Sequence, residues 1–255
     1  MSFSRPTLWH VFVRSLFIQA GFNSEGMQSL GLVYALAPAL EELYPEPLSR
    51  TRAFQRHLAP FNTHPYVAAA IIGGILFHEE RIARGEEPEQ RVNDFKRALA
   101  GPLAALGDGF FWLSWRPAVG AVAVATVPLL GAYSALLFLV LYNLLHLFLR
   151  GQLFVWGLRR GEGMLEQLAK LKAPSWAERL RRVAAASAGG LAAYLALEFG
   201  AQQHGSGVSA LAAPLLAGGC LSLGLLSYLL VANGRSPYWG LYLAALFAGA
   251  TGVLL

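Results

Sequence analysis

Three observations predict an all-α, polytopic membrane protein. Of the 255 residues, 55% are apolar and only 14% are charged, whereas a soluble globular domain carries about 25% charged residues. The apolar residues fall in blocks and raise the mean hydropathy to +0.46. The 27 glycines suit helices that pack closely in lipid. The architecture expected is a set of amphipathic N-terminal helices, re-entrant or half-membrane helices, and several transmembrane helices.

Charge and cysteine content narrow the function classes. The formal net charge is +5, and the Lys and Arg residues cluster in loops between apolar blocks. That pattern reads as positive-inside topology and not as a nucleic-acid surface. The single cysteine, Cys220, permits neither an intrachain disulfide nor a cysteine metal cluster. A cleavable signal peptide is not expected, because the first apolar run, from Leu8, is interrupted by Arg14, Gln19 and Asn23.

Composition changes near Ala98, dividing the chain into a mixed part, residues 1–97, and a transmembrane part, residues 98–255. In the first part, residues 6–22 and 27–45 read as amphipathic or half-buried helices of about four turns. Pro38 should kink the second, and the "YPEP" at residues 44–47 should stop it. Residues 48–61 form a third helix with a basic face, ended by Pro60. Such helices suit a membrane interface or a partner surface.

Next comes "FNTHPYVAAAIIGGILF", residues 61–77. Its eleven-residue apolar run spans only about half a bilayer. Non-spanning backbone at membrane depth survives only inside protein or beside a wet cavity. The segment therefore reads as a re-entrant helix whose start is capped by Asn62 and Thr63, with Pro65 in its first turn. Asn62, Thr63 and His64 either serve only as caps and neighbours or offer uncharged hydrogen bonds to a polar solute. The "HEERIARGEEPEQR" that follows reads as a solvated helix end and loop.

The second part opens with "ALAGPLAALGDGFFWLSW", broken at Pro102 and carrying Asp108 amid apolar residues. A carboxylate at membrane depth marks a pathway or a paired group, and Arg116 is a possible mate. Residues 118–149 are too many for one crossing and fit a hairpin turning near residues 128–131. Apolar blocks follow at residues 183–199, 208–231 and 238–255. The basic segments 79–97 and 150–182 should face the cytoplasm, "GAQQHGSG" at 200–207 outward, "NGRSP" inward, and the C-terminus outward.

A third polar cluster, "IQAGFNSEGMQ", places Gln19, Asn23, Glu25 and Gln28 together. Amides and carboxylates at close spacing suit a carbohydrate, whose hydroxyls both donate and accept, and Phe22 could stack on its apolar face. The bland alternative is a polar helix junction. Other chemistries lack residues: no phosphate-binding glycine loop with Lys-Ser/Thr is present, and no nucleophile sits beside a base. The six histidines show no metal spacing. Neither a catalytic residue nor a cofactor or metal is expected.

Taken in order, "FNSEGMQSLG", "YALAPALEELYP", "RHLAPFNTHPY", "FHEERIARGE" and "AGPLAALGDGFFWLSWRP" resemble the IID component of the mannose/fructose/sorbose phosphotransferase systems. The likeness is dense over residues 14–117 and looser to the C-terminus. It implies a bacterial inner-membrane subunit that pairs with a IIC subunit and passes a hexose or amino sugar of the mannose, fructose, sorbose or N-acetylgalactosamine class inward. The soluble IIA and IIB subunits would supply the phosphoryl group, and IIC–IID pairs would form a higher oligomer in the lipid bilayer. The resemblance makes Asn23, Glu25, Gln28, Asn62, Thr63, His64 and Asp108 candidates for the sugar site or its gate. The chain departs from the family at Gly26, where an Arg is usual, and in its short outward segment at 199–210. These departures motivate an alternative, a non-transporting membrane scaffold or regulatory relic of such a system. An unrelated channel or lipid-facing protein is the third reading, and the preserved "FNTHPY" and "GPLAALGDG" stretches weigh against it.

Overall fold

The computed structural model describes residues 3–203 and scattered positions between 218 and 246. The chain forms two compact units, residues 1–185 and 186–255. Among the described residues the structure is helical and forms no sheet, with only isolated bridges between residues 23, 27 and 61.

In the first unit, α1 (Arg5–Ser15) and α2 (Ser29–Leu43) form an antiparallel hairpin. Glu42 near the end of α2 accepts hydrogen bonds from Ser4 and Thr7 at the start of α1. At the other end Gly31 lets α2 meet the backbone of Ile18, where a Cβ would sit 1.9 Å from its carbonyl oxygen. The expected helix over residues 6–22 ends earlier, at Ser15, and residues 16–21 run on as turns. Pro38 lies inside α2, which ends at Leu43 ahead of "YPEP" as expected. Glu46 caps α3 (Pro47–His57) by accepting from the Ser49 amide at 2.8 Å.

At the centre lies α4 (Ala68–Ala83), whose residues Ala68–Leu76 are all buried. Asn62 and Thr63 do not cap it, contrary to expectation: its N-cap position is Val67, which makes no side-chain cap bond. The helix also runs past the apolar run, and His78, Glu79 and Glu80 are buried, not solvated. At about 1.5 Å per residue α4 is roughly 24 Å long.

The chain then stays helical from Gln90 to Ala125. It passes through α5 (Gln90–Gly107), a π-helical segment (Asp108–Trp115) and α6 (Arg116–Ala125). The expected break at Pro102 is absent; the irregularity falls six residues later, where the ladder changes to π spacing. The compositional change near residue 98 thus lies within one helix. The expected hairpin turn is present: α7 (Val127–Leu130) leads to Gly131, whose φ of +54° favours glycine, and α8 (Tyr133–Arg160) returns against α6.

The run Tyr133–Lys170, comprising α8, a 3₁₀ turn (Gly161–Gly163) and α9 (Met164–Lys170), has a mean hydropathy of 1.6 in its most apolar window. Among the described residues it is the one run long and apolar enough to cross a membrane. It packs parallel to α4 along a seam of small residues. A Cβ on Gly73 would lie 2.2 Å from the Phe154 carbonyl oxygen, and one on Gly157 would lie 2.1 Å from that of Ala70. Small residues let helix backbones approach closely in this way. The block at 183–199 lies in α10 (Ala173–Gln203). The blocks at 208–231 and 238–255, and the outward link, fall largely or wholly outside the described residues.

Candidate functional site

The polar loop ahead of α2 is folded by its own side chains. Asn23 Oδ1 accepts from the amides of Glu25 (3.0 Å) and Gly26 (2.7 Å), while its Nδ2 donates to the Gly21 carbonyl at 3.2 Å. The backbones of Asn23 and Met27 exchange two hydrogen bonds, and Met27 sits in the left-handed region at φ 55°.

This loop grips the "FNTHPY" segment. The Gln28 amide donates to the Phe61 carbonyl at 2.9 Å. The buried Gln28 side chain then pairs with Thr63 as a second peptide would. Its Nε2 donates to the Thr63 carbonyl at 2.7 Å, and its Oε1 accepts from the Thr63 amide at 3.0 Å. Gln28 thereby satisfies an irregular backbone that no helix or sheet serves.

The Asp108 segment closes on the same place. A Cβ on Gly107 would lie 2.4 Å from the Cβ of His64, so only glycine allows this approach. The His64 ring stacks on Phe111, with centroids 5.3 Å apart, and stands 4.8 Å from the ring of Trp112. All three segments singled out in the sequence therefore meet around Thr63 and His64. The expected ion pair is absent: neither Asp108 nor Arg116 forms a salt bridge among the described residues.

The seven candidates fall into distinct environments. Asn23 and Gln28 are occupied in shaping the tip. Glu25 and Asn62 are exposed, and among the described residues their side chains make no hydrogen bond. Thr63 Oγ1 and His64 Nε2 are buried without a partner in the chain. Buried polar atoms are nearly always hydrogen-bonded, so each of these two atoms calls for a ligand, a water or a neighbouring subunit.

Sequence reasoning missed the residues behind His64. Tyr66 stacks on His146 with centroids 4.2 Å apart, and its hydroxyl lies 2.9 Å from that of Tyr142. Arg150, buried one turn beyond His146, donates to the Ser15 carbonyl and so caps the end of α1. The signal was present: Tyr142, His146 and Arg150 recur every four residues along an apolar helix, on one face.

At the far end of α4 lies a buried charged node. The carboxylate of Glu79 meets His57 Nε2 at 3.0 Å, Arg56 Nε at 3.1 Å and the Tyr44 hydroxyl at 2.8 Å. Burial would push the Glu79 carboxyl up, but His57, Arg56 and Tyr44 hold it below the usual range. Lys96 Nζ donates to the Arg56 carbonyl at 2.8 Å, and burial lowers Lys96 to about 8. Glu162 joins the two basic segments at this end, pairing with Arg91 at 2.7 Å and lying 3.4 Å from His78 Nε2.

Comparison with known proteins places this architecture. The model of the mannose/fructose/sorbose phosphotransferase family IID component matches residues 2–204. The chain belongs to that family. This IID-family chain is 40% identical over 160 residues to the mannose-specific EIID component of Escherichia coli K12, covering 62% of this chain and 56% of that protein. It is 34% identical to the fructose permease IID component of Bacillus subtilis, covering 65% and 61%. The chain thus spans a little over half the length of the first of these relatives. Solved structures that resemble it include the following two. One, described only as a membrane protein, has a TM-score of 0.67 and 33% identity, covering 75% of this chain and 71% of that one. The other, the mannose transporter ManYZ in complex with microcin E492, has a TM-score of 0.60 and 26% identity, covering 99% and 97%. The chain is a helical membrane protein of the sugar phosphotransferase family.

Proposed function

We propose that this chain is the IID subunit of an inner-membrane permease that, with a IIC subunit, translocates a hexose or amino sugar as IIA and IIB phosphorylate it. The carrying observation is the polar tip at His64, where three sequence-distant segments converge and leave Thr63 Oγ1 and His64 Nε2 unsatisfied. Uncharged donors and acceptors in an apolar body suit a sugar's hydroxyls. Depth is compatible with this role. The eleven residues of rise along α4 from Ala68 to Glu79 span roughly 16 Å. With the basic end at the cytoplasmic surface, the tip lies inside a hydrocarbon core of about 30 Å.

In this reading Asn62, Thr63, His64 and Glu25 contact the sugar or gate it, Asn23 and Gln28 shape the tip, and Asp108 flanks it. The phosphoryl transfer belongs to the soluble subunits. Uptake and phosphorylation of labelled hexoses and amino sugars, measured with and without this chain beside its IIC, IIA and IIB subunits, test the proposal. Uptake that depends on the chain supports translocation. Unchanged uptake, with altered phosphorylation of the soluble subunits, supports the scaffold reading motivated by Gly26. Any side chain at that position would have to displace the Ser29 hydroxyl, 2.2 Å from the place of its Cβ.

A further inference from the structure

A cavity of about 300 Å³ opens in the first unit between α4, the π-helical segment, α8, α9 and the first turns of α10. That volume is at the lower end of ligand pockets, roughly 300–1,000 Å³. Every residue lining it is Val, Leu, Phe, Trp or Ala, among them Phe110, Leu145, Leu153, Trp176 and Leu180. A sugar or nucleotide would find no hydrogen-bonding side chain other than the indoles there. An alkyl chain needs none.

The rim has the opposite chemistry. Lys172 is exposed and stands between two lining residues, Leu171 and Ala173. The Arg179 guanidinium lies 5.1 Å over the ring of Trp176, itself a lining residue and 52% exposed. Residues 169–182 hold five cations (Lys170, Lys172, Arg179, Arg181 and Arg182) against one carboxylate, Glu178. Glu178 is taken by Arg181 and Arg182. Lys170, Lys172 and Arg179 are without a salt bridge among the described residues. A tryptophan at the mouth of an apolar slot, with the unpaired Arg179 over its ring and the unpaired Lys172 next in sequence to two lining residues, matches the layering of a phospholipid at an anionic leaflet.

We infer that this cavity holds an acyl chain of an anionic glycerophospholipid, whose phosphate sits at Lys172 and Arg179. The inference rests on membrane residence and is independent of the sugar reading. The full-length chain, purified with its membrane partner, delipidated and placed in mild detergent, is titrated with three probes by native mass spectrometry. These are phosphatidylglycerol, phosphatidylcholine with the same tails, and the tail-free headgroup glycerophosphoglycerol. Phosphatidylglycerol should bind at least tenfold tighter than either of the others. Each of Lys172→Gln and Arg179→Gln should weaken it about fivefold, and both sites are exposed, so folding is spared. Leu180→Trp, which narrows the cavity, should abolish the preference for the tailed probe. Equal binding of the two lipids, or binding of the bare headgroup as strong as that of the lipid, would each overturn the assignment.

Discussion

Asn62 differs from its neighbours in one respect that matters. Gln28 holds the Thr63 backbone and aromatic rings hold His64, whereas the Asn62 side chain is exposed and makes no hydrogen bond among the described residues. If it binds a sugar hydroxyl, Asn62→Ala removes a contact worth about 1–3 kcal/mol, roughly a ten- to hundredfold loss of uptake affinity. The complex should stay assembled, and uptake affinity unchanged from the native chain would remove Asn62 from the site. Gln28→Ala should behave differently, lowering thermal stability together with uptake, because it frees both buried backbone groups of Thr63. The sequence revealed that these residues were polar in an apolar setting but not which were ligands and which were fasteners. An amide carries a donor and an acceptor in either role, and only the 35-residue contact with Thr63 decides. Lys96 gives a pH prediction. Its folded-state value of about 8 lies below the ordinary 10.5, so the unfolded chain holds a proton that the folded chain releases. Thermal stability in detergent should therefore rise from pH 8 toward 10. Above that, Tyr44, pushed up by burial and Glu79, acts in the opposite direction. A flat profile for the native chain, or an unaltered rise in Lys96→Met, would refute the linkage.

Among the elements, the α4–α8 seam is the most demanding. Its glycines bring backbones within van der Waals contact, so Gly157→Leu cannot be absorbed by a rotamer change. It should cost more than the 1–3 kcal/mol of ordinary overpacking and be seen as lost yield and a lower melting temperature. Gly151→Ala on the same helix has nothing within 4 Å of the new Cβ and should be neutral or slightly stabilising. The α2 end at "YPEP" and the turn at Gly131 were legible, because proline and glycine act on the local backbone. The start of α4 was not, since its first amides are served by the His64 and Val67 carbonyls and not by a capping side chain. Nor was the π-helical segment, whose setting depends on Gly107 against His64. "HEER" read as solvent-facing because its partners, His57, Tyr44 and Glu162, come from other helices.

For the whole molecule, the positive-inside pattern grouped residues 79–97 with 150–182, and Glu162 of the second segment binds Arg91 of the first, so the two segments meet there. In a Cys220→Ser background, an impermeant thiol reagent added to intact cells should miss a cysteine at Lys170 and reach one at Ser206, which lies outside the described residues. The reverse pattern would invert the orientation. Class and family were legible from composition and motif order. The convergence of the three polar segments was not, because contacts across 35 to 80 residues leave no periodic trace.

The central position of α4 sets a problem of timing. Its last residue, Ala83, leaves the ribosome 77 residues before Arg160 completes the helix that covers it. At about 5–20 residues per second the delay is roughly 4–15 s. For that interval an almost wholly apolar helix, ending in the carboxylates Glu79 and Glu80, must be sheltered by the insertion machinery, by lipid or by another subunit already in place. If the IIC subunit proposed above is that shelter, the order in which the two are synthesised becomes part of how this chain reaches its fold.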